Sequence, residues 1–166
     1  MTHASKALVT GAARGIGAAI AGRLAADGLQ VVTLDLAEGC ELTLDVARDE
    51  FPQLDDVDVC VANAGITTTI APAHRMRSEQ WRRDIDVNLT GAFRTVQACI
   101  GGMRARRFGR VVVISSVAAL GGLPGQVAYA AVSFLAGPEA AQISGQAIAV
   151  DGALSLPQLS LGSERR

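Results

Sequence analysis

A glycine-rich turn near the start of the chain constrains the fold more than any other feature of the sequence. The segment Thr10–Gly17 reads TGAARGIG. It lies between an apolar run that predicts a β-strand, Lys6–Thr10, and a helical pattern over Gly15–Asp27. Glycines let a chain turn sharply, approach an anion closely and pack the following helix on a sheet. The amide groups that open such a helix form an anion site, so the turn predicts a phosphate or diphosphate ligand.

The spacing of the glycines and one nearby acid narrow the ligand further. Gly11 would make the turn, Gly15 would admit a diphosphate and Gly17 would pack the helix on the sheet. No Gly-Lys-Ser/Thr follows, so a nucleoside-triphosphate P-loop is not expected. Asp35, eighteen residues after Gly17, can accept hydrogen bonds from both hydroxyl groups of an adenosine ribose and would repel a 2′-phosphate. The sequence therefore favours NAD over NADP. Two alternatives stay open: a strand-end aspartate that faces water, and tolerance of extra phosphate through Arg14.

Strand patterns alternate with helical patterns along the chain, which is typical of an α/β protein with a parallel sheet. The other predicted elements are strands at Gln30–Leu36, Glu41–Val46, Val57–Ala62 and Arg110–Ile114, a long helix from an N-cap at Ser78 to about Arg107, a short helix at Tyr129–Ala136 and a strand at Gln146–Val150. Their continuous apolar character indicates buried strands in a sheet covered on both faces. The expected fold is a single Rossmann-like, doubly wound domain over residues 1–166. It would end in a tail over 154–166.

Composition and charge exclude several classes of protein. The 166 residues are 49% hydrophobic and carry a net charge of −1, so neither disorder nor a general attraction to nucleic acid is expected. The uncharged segment Val111–Pro138 has the length of a membrane span, but glycines and a proline interrupt it, and no span is predicted. The three cysteines are expected to be core residues in a reducing cytoplasm, and no metal site is predicted. An arginine cluster predicts either a phosphate patch or, preferably, a solvated helix end: Arg104, Arg106 and Arg107.

Several motifs in order along the chain resemble those of the short-chain dehydrogenase/reductase family. They are Thr10–Gly17, Asp35, Asp45-Val46, Asn63-Ala64-Gly65, Asn88 within DVNLTG, Ile114-Ser115-Ser116 and Tyr129. The resemblance covers about residues 4–131 and resumes near 132–153. It implies an oxidoreductase that transfers hydride between NAD(H) and a carbonyl compound or secondary alcohol, with a small-molecule substrate.

The resemblance also implies roles for individual residues. The cofactor site would consist of Gly11, Arg14, Gly15, Ile16, Gly17, Asp35, Asp45, Val46, Asn63, Ala64 and Gly65. Within this set, Asp45 and Val46 would lie beside the adenine. Tyr129 would be the proton donor and acceptor, and Ser116, thirteen residues earlier, would hydrogen-bond the substrate oxygen. Asn88 would hold a water molecule in the proton relay.

The sequence departs from the family pattern after the tyrosine. Ser133 stands where the family has its active-site lysine, and Lys6 is the only lysine in the chain. The simplest explanation for this departure is an internal deletion that joins Ala131 to about Val132, so that the fold is truncated on its C-terminal side. A final strand that still joins the sheet is expected beside Arg110–Ile114, with self-association or a homo-oligomer as a consequence of exposed apolar surface. Two hypotheses follow: an active oxidoreductase, or an inactive dinucleotide-binding remnant that serves as a binding module or as the partner of a full-length relative.

Overall fold

In the part of the chain that the structure describes, five parallel strands form a sheet in the order β3-β2-β1-β4-β5. They are β1 (Lys6–Thr10), β2 (Gln30–Asp35), β3 (Leu42–Thr43), β4 (Val59–Ala62) and β5 (Arg110–Val113). The computed structural model describes residues 5–116, 118, 124–129 and 131. Valine and leucine dominate the central strands β1, β2 and β4, which suits strands that are covered on both faces.

Helices cover both faces of this sheet. They are α1 (Gly15–Ala26), α2 (Ser78–Ile85) and α3 (Gly91–Arg106). Because successive side chains of a strand point to opposite faces, Leu8 and Cys60 join the core that includes residues of α3. Their neighbours Val9 and Val61 join the core that includes Ala21 of α1. The predicted fold class, an α/β doubly wound parallel sheet of the Rossmann type, is confirmed.

The long helix predicted from Ser78 to about Arg107 is interrupted. A π-helical turn, Asp86–Thr90, separates α2 from α3, and such turns are frequent at functional sites. The prediction of Ser78 as the N-cap is also wrong. Arg77 is the N-cap, and its amide donates a hydrogen bond to the side-chain oxygen of Gln80 at 3.0 Å. The helix start is therefore closed by an amide side chain rather than by a serine hydroxyl.

The prediction of a buried strand at Arg110–Ile114 is right about the strand and wrong about its burial. The three valines of β5 are 40–44% exposed. The reason is that β5 pairs with β4 on one side and forms the edge of the sheet as described. The later predictions lie outside the described residues: the junction after Ala131, Ser133, the rest of the short helix to Ala136 and the strand Gln146–Val150.

The last turn of α3 carries the arginine cluster. Arg106 donates a hydrogen bond to the carbonyl oxygen of Val57 at 2.7 Å and pairs with Asp58 Oδ1 at 3.2 Å. Arg104 and Arg107 are exposed, as the solvated helix end requires. The three arginines therefore have different roles. Arg104 and Arg107 face solvent, whereas Arg106 binds the segment directly before β4.

Two other features predicted from composition can be compared with the structure. Within the ranges that the structure describes, no helix is both long and apolar enough to cross a membrane. Cys60 and Cys99 are buried in the core between the sheet and α3, as predicted, and Cys40 is half-buried.

Candidate cofactor and active site

The predicted site residues gather at one edge of the sheet. All strands of a parallel sheet end at the same edge, and ligands bind where the strand order reverses direction. Here the reversal falls between β1 and β4, and the loops that follow these strands begin with Gly11 and Asn63. Asp35 ends β2, and Ser116 follows β5, at this same edge. The topology thus places Gly11, Asp35, Asn63 and Ser116 at one edge of the sheet.

The inner side of the glycine-rich loop is tightly packed. Gly11 has a φ of +67°, and a Cβ atom there would lie 2.9 Å from Ala64 Cα and 2.9 Å from Asn63 Nδ2. A Cβ atom on Gly17 would lie only 2.1 Å from the carbonyl oxygen of Gly11. These distances are shorter than van der Waals contact, so only glycine lets α1, the loop and the segment after β4 meet.

The outer side of the same loop is open. Gly15 has a φ of +59°, and a Cβ atom there would meet nothing within 4 Å. Arg14 is the N-cap of α1 and makes no side-chain hydrogen bond to the helix amides. Arg14 and Ile16 are both exposed. An uncapped helix N-terminus that faces open space is a site for an anion.

Thr10 and Asn63 fasten the two loops to each other. Thr10 Oγ1 accepts hydrogen bonds from the amides of Asn63 and Ala64, each at 3.1 Å. Asn63 Nδ2 donates to the carbonyl oxygens of Thr10 at 2.9 Å and Gly11 at 3.2 Å. This role of Thr10 was not predicted from the sequence, although a hydroxyl residue directly before the glycine-rich turn was the available signal. The crevice therefore has a floor that side chains hold in place.

Asp35 lies beside the glycine-rich loop. Its Oδ2 accepts a hydrogen bond from the Ala13 amide at 3.0 Å, and its Oδ1 accepts one from the Ala37 amide at 3.1 Å. A carboxylate oxygen accepts about two hydrogen bonds, so each oxygen keeps capacity for a ligand hydroxyl. The side chain is therefore fixed at the crevice and still able to bind a sugar.

Asp45 and Val46 follow the short strand β3. The predicted strand Glu41–Val46 is shorter because Asp45 opens a turn, in which its Oδ1 accepts a hydrogen bond from the Ala47 amide at 2.8 Å. Val46 is buried, and a Cβ atom on Gly91 would lie 2.6 Å from its Cγ2. Val46 therefore packs against the start of α3, and Asp45 lies half-buried next to it.

Asn88 lies on the π-helical turn and holds the loop after β4. Its Oδ1 accepts a hydrogen bond from the Ile66 amide at 2.7 Å, and its Nδ2 donates to the Ile66 carbonyl oxygen at 2.8 Å. A Cβ atom on Gly65 would lie 3.2 Å from Asn88 Oδ1. The observed contacts make Asn88 a clamp on this loop, and its role in a water relay stays a prediction.

Ser116 and Tyr129 lie on two separate segments of the chain. Ser116 is half-buried, and its Oγ accepts a hydrogen bond from the Ala118 amide at 3.2 Å. Tyr129 is half-buried and helical, and the Ala71 amide binds the carbonyl oxygen of Gly125 just before it, at 2.8 Å. Within the described ranges no hydrogen bond joins Ser116 to Tyr129, so their joint action stays a prediction.

A buried acid near the crevice escaped the sequence analysis. Asp84 in α2 is 1% exposed. Burial raises the pKa of its carboxyl, against the smaller lowering effects of the Arg83 charge and a hydrogen bond from Thr68. The available signal was its position one helical turn before Asn88, which places both side chains on one helix face.

Comparison with known proteins places these features in a family context. A family model described as "short chain dehydrogenase" matches residues 37–134. The 3-oxoacyl-[acyl-carrier-protein] reductase MabA of Mycobacterium avium is 40% identical over 138 residues, covering 75% of this chain and 54% of the relative. The acetoacetyl-CoA reductase of Rhizobium meliloti is 40% identical over 147 residues, covering 75% of this chain and 60% of the relative. The chain thus spans little more than half the length of these curated relatives.

The fold is similarly shared with solved structures. One is a protein from Beutenbergia cavernae described as an NAD(P)-dependent gluconate 5-dehydrogenase and solved with NADP at low occupancy. It superposes on this chain with a TM-score of 0.74 at 30% sequence identity. The match covers 81% of this chain and 63% of that chain.

Proposed function

Because this chain belongs to the short-chain dehydrogenase/reductase family, we propose that it binds NAD(H) and transfers hydride between the nicotinamide and a carbonyl compound or secondary alcohol. One observation carries the proposal: the uncapped N-terminus of α1 faces open space at Gly15, at the point where the strand order reverses. A diphosphate fits this place, because the loop amides offer donors and no side chain fills the space.

The other described residues fit the remaining parts of a dinucleotide. Asp35 would accept hydrogen bonds from the adenosine ribose with the acceptor capacity that its two amide contacts leave. Asn63 and Thr10 would keep the floor of the crevice rigid beneath the cofactor. The cofactor supplies the hydride chemistry, and the chain supplies binding and orientation.

The polar side chains beyond the cofactor would act on the substrate oxygen. We assign the Ser116 hydroxyl to hydrogen-bond that oxygen and Tyr129 to donate its proton or accept one, in keeping with the family resemblance. The relatives named above suggest the substrate class, since both act on 3-oxoacyl thioesters by their names. Short 3-oxoacyl thioesters are therefore the first substrates to assay.

Replacing Gly15 with alanine is expected to weaken NADH binding at least tenfold, which is about 1.4 kcal/mol. The new methyl group would project into the open space assigned to the diphosphate. Gly28→Ala is the matched control, because Gly28 also has a positive φ, +89°, with nothing within 4 Å. Both changes should cost about 1–2 kcal/mol of stability through backbone strain. Fluorescence titration with NADH and thermal melting measure the two effects. Equal NADH affinities in the two variants would contradict the assigned diphosphate site.

Replacing Asp35 with asparagine is expected to reduce the preference for NADH over NADPH about tenfold. The change keeps the shape of the side chain and removes the negative charge that would repel a 2′-phosphate. Glu38→Gln removes a nearby exposed charge and should leave the preference unchanged. Titration of each variant with both nucleotides gives the ratio of dissociation constants. A wild-type chain that prefers NADPH would overturn the choice of cofactor.

A second candidate function is that of a binding module without turnover. The observation that favours it is Ser133 in the position of the family's active-site lysine. A chain that binds NADH and raises its melting temperature with NADH, yet reduces no 3-oxoacyl thioester, would support this alternative.

A further inference from the structure

The segment Ile66–Ala71, called the strap below, connects the cofactor crevice with the segment that carries Tyr129. The strap follows directly after β4 and the loop at its end. At its far end the Ala71 amide donates to the Gly125 carbonyl oxygen at 2.8 Å, and Ala71 forms a parallel bridge with Gln126. The position of the strap therefore sets the position of the backbone just before Tyr129.

The helix side chains hold the strap at two points, one helical turn apart. Asn88 binds the Ile66 backbone with both ends of its amide group. Asp84 Oδ1 accepts a hydrogen bond from Thr68 Oγ1 at 3.5 Å, and the Arg83 guanidinium donates to the same hydroxyl oxygen. A hydroxyl that accepts from arginine keeps its own proton to donate, so Thr68 links the acid to the base.

Only one of the two carboxyl oxygens of Asp84 has a hydrogen-bond partner among the described residues. Its Oδ2 is buried and has no hydrogen-bond partner among the described residues. Burying an ionised carboxylate in this position costs more free energy than burying a neutral carboxyl. This burial raises the pKa of the Asp84 carboxyl. Arg83 is the charged group that acts on it, the strap and residues 124–128 carry no charged side chain, and His74 and Arg75 after the strap are exposed.

We propose that Asp84 is a positioning residue, which holds the strap against α2 and thereby positions the Gly125–Tyr129 backbone. Its effect on catalysis rests on the function proposed above, whereas the contact itself does not. Burial affects the Asp84 carboxyl more than the Thr68 hydrogen bond does. The packed arrangement therefore favours the neutral carboxyl, although that hydrogen bond alone would favour the charged form. As the pH rises through the folded-state pKa, the charge appears and the strap loosens.

Backbone hydrogen exchange of the full chain, without cofactor, tests this over the whole pH range in which the chain stays folded. Asp84→Asn gives a permanently neutral side chain of the same shape. Strap amides in the wild type and in Asp84→Asn should exchange alike at the acidic end. At pH 8 the wild-type strap should exchange at least fivefold faster than the strap of Asp84→Asn. Comparison at equal pH cancels the intrinsic pH dependence of exchange, and the amides of β1 report any change in global stability.

Thermal melting gives a second reading with a defined sign. A carboxyl whose pKa is raised by folding contributes stability that is present at low pH and lost as the pH rises through the folded-state pKa. Asp84→Asn should therefore raise the melting temperature relative to the wild type at pH 8 and have little effect at the acidic end. Melting curves that differ equally at both pH values would count against the proposal.

A change on the strap itself keeps the test independent of the helix. Thr68→Val removes the hydroxyl that joins the strap to Asp84, and Thr67→Val alters the exposed neighbour. Strap exchange should accelerate only in Thr68→Val. Equal exchange in these two variants, or equal exchange in the wild type and Asp84→Asn at every pH, would overturn the proposal. The chain could show the expected exchange pattern and still fail to bind NADH. That result would support the contact between Asp84 and the strap and would contradict only the proposed function.

Discussion

Replacing Gly17 with alanine is expected to destabilise the chain by about 3 kcal/mol or more and to abolish NADH binding. The added Cβ atom would lie 2.1 Å from the carbonyl oxygen of Gly11 and 2.5 Å from Asn63 Nδ2. The first contact is with backbone, so α1 would have to move away from the loop. That movement would separate the helix amides from the crevice floor that Thr10 and Asn63 hold. Urea unfolding measures the stability, and fluorescence titration measures the affinity for NADH.

Gly22→Ala supplies the matched control for this prediction, because Gly22 lies in the same helix and a Cβ atom there meets nothing within 4 Å. Alanine at an open helical position is expected to stabilise the chain by about 1 kcal/mol. The two substitutions are chemically identical and differ only in what surrounds the new methyl group. A Gly17→Ala chain as stable as the Gly22→Ala chain would show that α1 does not pack on the loop as the structure has it.

Much of the fold could be predicted because the relevant patterns are local. The apolar run at Lys6–Thr10 and the glycine-rich turn after it define a buried strand and a helix start within a few residues of each other. The exposure of the strand at Arg110–Ile114 could not be predicted from a local pattern. Whether a strand is covered depends on which strand lies beside it, and its own residues do not contain that information. The apolar sequence therefore predicted a buried strand where the described sheet has an exposed strand at its edge.

The interruption of the long helix had no comparable signal. The stretch from Ser78 to Arg107 has helical periodicity throughout, and a π-helical turn changes that periodicity by only one residue. The turn coincides with Asn88, whose side chain binds the Ile66 backbone. A tertiary contact between segments 22 residues apart thus lies where the helix departs from regular geometry.

The residues of the candidate site also differ in whether local sequence could predict them. Gly11, Gly15 and Gly17 could be assigned from spacing, because each role is a property of one turn of chain. Placement of Tyr129 depends on contacts between the strap and Gly125, more than fifty residues apart in the sequence. Backbone groups form this connection, through the Ala71 amide and the Gly125 carbonyl oxygen, and no sequence motif marks them. The sequence could therefore predict Tyr129 as the acid/base residue without showing what positions it.

Replacing Tyr129 with phenylalanine is expected to lower the turnover number about 100- to 10,000-fold while leaving NADH affinity unchanged. Phenylalanine keeps the half-buried ring and removes the hydroxyl that would transfer the proton. Tyr129 is the only tyrosine of the chain, so no second phenol can replace it. Initial rates with a short 3-oxoacyl thioester and NADH measure the first effect, and fluorescence titration measures the second.

The two readings of Tyr129→Phe separate the candidate functions because they report different parts of the crevice. In the proposed function, NADH affinity depends on the glycine-rich loop and Asp35, which the substitution leaves intact. Turnover depends on a proton at the substrate oxygen, which only the phenol would supply. A rate that survives the substitution would therefore remove Tyr129 from the mechanism, and Ser133 in the lysine position would then be of no consequence. A wild-type chain that binds NADH and shows no rate would instead assign the crevice to binding alone, because the proton donor would be present without the cation that the family places near it.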